Sequence, residues 1–193
     1  MAHTGSTLVL LLVLALAVAG VARAGEPTDQ IRTDITSVFQ TLQRQPGSAE
    51  AARAADSILD RMFDWTAMAR ASLRDHWTVR TPAEQAEFTQ LFAGVFRRAY
   101  AARVHLVDAS RFQYLGDTIS GDQATVKTKV FTKRGSTLDV DYAVHRDASP
   151  RWLVEDVRVE KMSLVDNYRV QFDTLIARSS YEALVQRLRA GGK

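Results

Sequence analysis

Ala124-Thr125-Val126-Lys127-Thr128-Lys129-Val130 and, after a short break, Leu138-Asp139-Val140-Asp141-Tyr142-Ala143-Val144-His145 decide the fold. In each stretch apolar and polar residues alternate, the period of an extended chain with one face buried and one face wet. Arg134-Gly135-Ser136 between them reads as a hairpin turn. Upstream, Phe112, Tyr114 and Leu115 begin a strand that ends near Ser120-Gly121-Asp122. Downstream, Asp147 to Pro150 turns the chain again, and Trp152, Leu153, Val154, Val157 and Val159 form the last strand. Short links between successive strands predict an antiparallel meander of about four strands, apolar on one side.

On either side of the strands the period lengthens to that of a helix. Ile31, Ile35, Val38, Phe39 and Leu42 share one face, and Pro46-Gly47 ends that helix. Ser48 caps a second helix carrying Ala55, Ile58, Leu59 and Met62, and Asp64 caps a third with Trp65, Met68, Ala69 and Leu73. Thr81-Pro82-Ala83-Glu84 is a capping box with proline at the first helical position. The helix it starts presents a wide stripe of Phe88, Leu91, Phe92, Val95, Phe96, Ala99, Tyr100 and Val104. Ser163 and Ser180 cap the last two helices, which carry Leu164, Val165, Tyr168, Phe172, Leu175 and Ile176, then Tyr181, Leu184, Val185 and Leu188. The sum is an α+β layout, helices before and after one curved sheet and packed on its apolar face.

The chain has 193 residues. Leu8 to Val21 is an apolar run ending in Ala22-Arg23-Ala24, the small-x-small pattern of a signal-peptidase site. The run is short of the ~20 apolar residues that span a bilayer. Residues 1–24 are expected to be a cleavable export signal, and residues 25–193 one domain, large enough to bury a substantial core. There is no cysteine, which excludes disulfides and an acylated lipoprotein anchor. The net charge is +3, with basic and acidic residues interspersed; the densest basic spot is Arg97-Arg98 with Arg103. A nucleic-acid binder would gather its cations on one face or stripe, so no nucleic-acid partner is expected.

Catalytic constellations are missing. No G-x-S-x-G, Walker loop, G-x-G-x-x-G or H-E-x-x-H occurs. No two of His3, His76, His105 and His145 stand at metal-ligand spacing, and Asp56/Asp60 and Asp139/Asp141 read as solvated faces. No metal or cofactor is expected. An enzyme would have to draw its acid or base from His105, Tyr142 or Asp156. What is abundant is bulky apolar side chain. A curved sheet closed by helices can be filled or can leave a lined cavity, and spacing does not separate the two.

Phe63-Asp64-Trp65-Thr66-Ala67-Met68-Ala69-Arg70, Leu73, His76-Trp77, Thr81-Pro82 to Gln85, Phe88, Phe92 and Tyr100 resemble one signature of the MlaC family. Those proteins are periplasmic phospholipid binders once named for toluene tolerance. Met162 to Phe172 is similar to the family's second signature, and Tyr181-Glu182-Ala183-Leu184-Val185 to its closing helix. The likeness spans Ile31 to Leu188. One position departs from it: the family usually has Leu-Gly before the x-x-Trp, and here Arg74 follows Leu73. Glycine there allows a positive φ or a close backbone approach.

The resemblance implies an NTF2-like fold and a non-enzymatic role. That role is to carry a phospholipid across the periplasm between an outer-membrane lipoprotein–porin complex and an inner-membrane ABC transporter. Each methylene exposed to water costs ~0.8 kcal/mol, so two acyl chains cost on the order of 20 kcal/mol to expose. A dry pocket removes that cost without fuel. Periodicity and resemblance together nominate Phe92, Phe96, Tyr100, Val126, Val130, Tyr142, Val144, Trp152, Val165 and Phe172 as lipid-binding residues. Relatives linked to hopanoid lipids leave that cargo as an alternative, a small NTF2-like enzyme is a second, and an interaction protein with a filled core a third. A monomer is expected.

Overall fold

Alternation along Ala124–Val130 and Leu138–Val144 buries the predicted face. Ala124, Val126, Thr128 and Val130 stand opposite Val144, Tyr142, Val140 and Leu138 in the antiparallel register, and all but Leu138 are buried. The computed structural model describes residues 26–104, 106–108, 111–146 and 150–191. The expected export signal therefore lies outside the described residues, as do His105 and most of the turn that precedes Pro150.

Helices α1 (Glu26–Arg44), α2 (Ala49–Met62), α3 (Trp65–Leu73), α4 (Asp75–Thr78) and α5 (Pro82–Val104) come first. Strands β1 (Gln113–Ser120), β2 (Gln123–Phe131), β3 (Thr137–Arg146), β4 (Trp152–Val159) and β5 (Met162–Ser163) follow, then α6 (Leu164–Arg178) and α7 (Tyr181–Arg189). The strands form one antiparallel sheet in chain order. Among the described residues no helix is long and apolar enough to cross a membrane.

Caps place the helix starts where the sequence puts them. Ser48, Asp64, Ser163 and Ser180 each accept a hydrogen bond from a backbone N–H in the first turn of their helix. The α5 box closes both ways: Thr81 N–H donates to Glu84 Oε2 at 2.8 Å, and Glu84 N–H to Thr81 Oγ1 at 3.3 Å. These bonds satisfy donors that a helix start leaves open.

The sheet has five strands rather than about four. Glu160 and Lys161, with φ of 51° and 68°, turn β4 back into the two-residue β5. Hairpin loops with two left-handed residues normally carry Asn-Gly or Asp-Gly, so Glu-Lys gave no such signal. The uneven spacing Trp152, Val154, Val157, Val159 has its cause in a bulge. Val144 pairs with Val154 but Ala143 pairs with Asp156, so Glu155 is the extra residue and both halves of β4 keep their apolar side chains inward. A second irregularity at Leu115, between Tyr114 and Gly116, is permitted by a φ of 108° at Gly116.

Arg74, at the α3–α4 junction, has φ 48° and ψ −113°. The backbone thus keeps a glycine-like conformation with an arginine in place, a strained arrangement. Arg74 lies between Leu73 and Trp77, both of which are buried in the common core.

Candidate functional site

The residues nominated from the sequence occupy the interior. Val126, Val130, Tyr142, Val144 and Trp152 come from β2, β3 and β4 and belong to one buried cluster with Phe92 and Phe96 of α5 and Val165 and Phe172 of α6. Tyr100 lies in α5, and its side chain is outside the described residues. Within the cluster the rings of α5 meet other helices. Phe92 packs edge-on against Tyr168 and Phe172 at 5.3 and 6.3 Å, and Phe88 against Phe172 at 5.7 Å. Phe96 reaches Phe63 at 5.3 Å and Trp65 at 5.5 Å. Such edge-to-face contacts add to the burial energy.

Open space lies elsewhere, between α1 and β1. A cavity of about 520 Å3 is lined by Arg32, Ile35, Thr36, Phe39, Gln40 and Gln43 on one wall and by Val107, Asp108, Phe112, Tyr114 and Lys133 on the other. The spacing of the first set is the face of a single helix. Ile35 and Phe39 are themselves core residues, and Val107, Phe112 and Tyr114 pack against that core, so the apolar floor is the outer end of the buried cluster. The rings run in a line: Phe39 to Phe112 is 6.3 Å and Phe112 to Tyr114 is 5.3 Å. Val107 extends the second wall by bridging to Thr132, with Asp108 N–H donating to Phe131 O and Lys133 N–H to Leu106 O.

α1 is fixed at its start and lines the cavity with its later turns. Thr28 donates from its backbone N–H and its hydroxyl to Asp117 Oδ2, at 3.2 and 2.5 Å. Gln30 accepts from Trp152 N–H at 3.0 Å and donates to Trp152 O at 2.5 Å, and Arg146 pairs with Glu26 at 2.8 Å. Past these anchors the Arg32 guanidinium lies over the Tyr114 ring, 4.9 Å from its centre. Tyr114 is also hydrogen-bonded with Thr36, and burial is the main reason its hydroxyl is pushed up to about 12, so it stays protonated.

A smaller cavity of about 380 Å3 sits at the start of α6, lined by Val159, Met162, Ser163, Leu164, Asp166, Asn167 and Val170. Met162 and Val170 are largely exposed there.

The candidate acid Asp156 has a structural task. It is buried, accepts from the Val165 N–H in the first turn of α6 at 3.2 Å, and pairs with Arg158 at 3.4 Å. Tyr142 is a buried core residue opposite Val126 and Val157. Among the described residues no three His, Cys, Asp or Glu side chains gather as a metal site.

The α1–β1 lining was missed by sequence reasoning. Ile35, Phe39, Phe112 and Tyr114 were legible as inward-facing, but nothing in their spacing distinguishes a residue beside a void from one packed on all sides. The one available signal was Phe112-x-Tyr114 at the start of the first strand, paired aromatics on an edge where a neighbouring strand is lacking.

No curated protein sequence matches the chain. Among solved structures, the phospholipid-binding protein from Ralstonia solanacearum, in complex with a phospholipid, superimposes with a TM-score of 0.73 at 22% sequence identity, over 86% of this chain and 97% of that one. That likeness establishes a shared fold. The model of the MlaC protein family matches residues 30–190, which takes in most of α1 and every later element to α7, and the chain therefore belongs to the MlaC family.

Proposed function

We propose that this protein is a periplasmic lipid carrier, not an enzyme, that shelters the acyl chains of a phospholipid and moves it between the outer and inner membranes. The observation that carries the reading is the α1–β1 cavity, whose apolar floor runs into the core. Its 520 Å3 falls within the ~300–1,000 Å3 of small-molecule pockets. The polar anchors of α1 lie in its first half, from Glu26 to Gln30 and at Asp34, which pairs with Arg151. Longer chains are accommodated by parting the later turns of α1 from β1. The buried residues nominated above, Val126, Val130, Tyr142, Val144, Phe92, Phe96 and Phe172 among them, then become the inner wall. The Ralstonia relative's phospholipid and the family membership support this cargo.

Burial in such a wall is nearly neutral relative to a bilayer, because both are apolar, so the carrier consumes no fuel. Direction comes from its partners, an inner-membrane ABC transporter complex and an outer-membrane lipoprotein–porin complex. Export by the Leu8–Ala24 signal puts the protein between them, as a monomer.

Native mass spectrometry of the purified protein, followed by lipid extraction, tests the proposal. A bound phospholipid is expected. A bound hopanoid keeps the carrier and changes the cargo. A protein that stays free of lipid after incubation with phospholipid vesicles overturns the reading and leaves an interaction protein with a filled core.

A further inference from the structure

We infer that Arg32 and Lys133, on opposite walls of the α1–β1 cavity, hold the phosphate of the carried lipid, so that the site selects phosphate-bearing amphiphiles over phosphate-free ones of equal chain length. The inference rests on the carrier reading and adds a headgroup subsite to it.

The cavity is amphipathic. Ile35, Phe39, Val107, Phe112 and Tyr114 supply the apolar part, and Arg32, Thr36, Gln40, Gln43 and Lys133 supply hydrogen-bond donors. A lipid that leaves its chains on the rings must place its phosphate among those donors. Arg32 is built for the task. Its guanidinium carbon lies over the Tyr114 ring, 4.9 Å from the centre, a contact that uses none of its N–H groups, and a planar fork matches a phosphate in a bidentate way. Asp29 takes one guanidinium nitrogen at 2.9 Å, with both side chains about half exposed; arginine has five donors, and such an exposed pair competes weakly. Tyr114, protonated and hydrogen-bonded with Thr36, adds no negative charge beside it. Lys133 stands on the β2–β3 turn, where its backbone is fixed by the bond to Leu106 O. Asp108 is the one carboxylate among the described lining residues, against the two cations Arg32 and Lys133. The lining thus carries an excess of positive charge above an apolar floor, the complement of a phosphodiester on acyl chains.

The test compares wild type with the double variant Arg32→Gln/Lys133→Gln, both stripped of lipid. Each is offered phosphatidylglycerol or diacylglycerol with the same chains in detergent micelles, and retention is read by native mass spectrometry. Both substituted side chains are on the solvent side of the cavity, and circular dichroism checks the fold. The variant is expected to hold phosphatidylglycerol about tenfold or more less tightly, the loss of hydrogen bonds to a charged group, with diacylglycerol unchanged. Arg32→Lys in place of Arg32→Gln restores part of the loss. Unaltered phosphatidylglycerol retention overturns the subsite while the carrier stands. An equal loss of both lipids also overturns it, since shape rather than charge was then changed. Wild type that retains neither lipid overturns the carrier reading itself.

Discussion

The two flanks of the molecule use the same kinds of side chain to opposite ends. On the α5–α6–α7 flank, Phe88, Phe92, Phe172 and Tyr181 interlock, with Phe88 and Phe92 at 0% and 1% exposure. On the α1–β1 flank, Phe39, Phe112 and Tyr114 line up along a cavity. The difference lies in what stands opposite. Rings on α5 face rings on α6 and α7, whereas β1 is an edge strand, bent at Leu115, and faces a helix whose hydrogen bonds to Asp117 lie at its start. Aromatic content alone therefore does not make a pocket; an edge strand opposite a helix with a single ring, Phe39, does.

Substitutions on the two flanks should separate stability from binding. Phe92→Ala opens a void in a closed cluster and should cost about 3–5 kcal/mol in a urea titration. Phe39→Ala, at the cavity floor where one side is already open, should cost ~2 kcal/mol and reduce lipid retention more than its stability loss explains. Equal stability losses at the two positions would erase the contrast.

Smaller effects sharpen it. Arg74→Gly should stabilise the fold by about 1 kcal/mol, because glycine adopts the observed positive φ without strain, and lipid retention should not change. A destabilised variant would mean that the arginine side chain compensates for its backbone. The smallest effect is at the α5 cap. Bonds from the Thr81 N–H and hydroxyl hold the Glu84 carboxyl below its ordinary 4.5. That contribution is present above pH 4.5 and is lost as pH falls through the lowered value in the folded protein. Asp34 has the opposite sign: burial raises its carboxyl, against Arg151 and Arg61, so its part of the stability is lost as pH rises above 3.8. Glu84→Gln should flatten the acid-side fall in melting temperature, and Asp34→Asn should steepen it.

Much of the fold was readable because local chemistry specifies it. A serine or aspartate before an apolar period, as at Ser48, Asp64, Ser163 and Ser180, states where a helix starts regardless of what packs on it. The alternation of β2 and β3 states which face is buried. β5 was not readable, since Glu160-Lys161 adopts a left-handed turn with residues that do not favour one. The cavity was not readable for a different reason. Whether Phe39 and Phe112 touch a neighbour on every side depends on where α1 is tethered, and that is decided by Thr28 and Gln30 reaching residues far along the chain. At Arg74 the sequence marked only a departure from the family's glycine and left the local turn open; the structure shows that the arginine keeps a positive φ.

The pair of hydrogen bonds between Gln30 and the backbone of Trp152 joins positions 122 residues apart in sequence. Contacts of such separation close only after the intervening chain has ordered, since loop closure is costly until other contacts offset it. The first of the described helices in chain order is thus the last to lock. Until the sheet exists, the cavity between α1 and β1 has only one of its two walls.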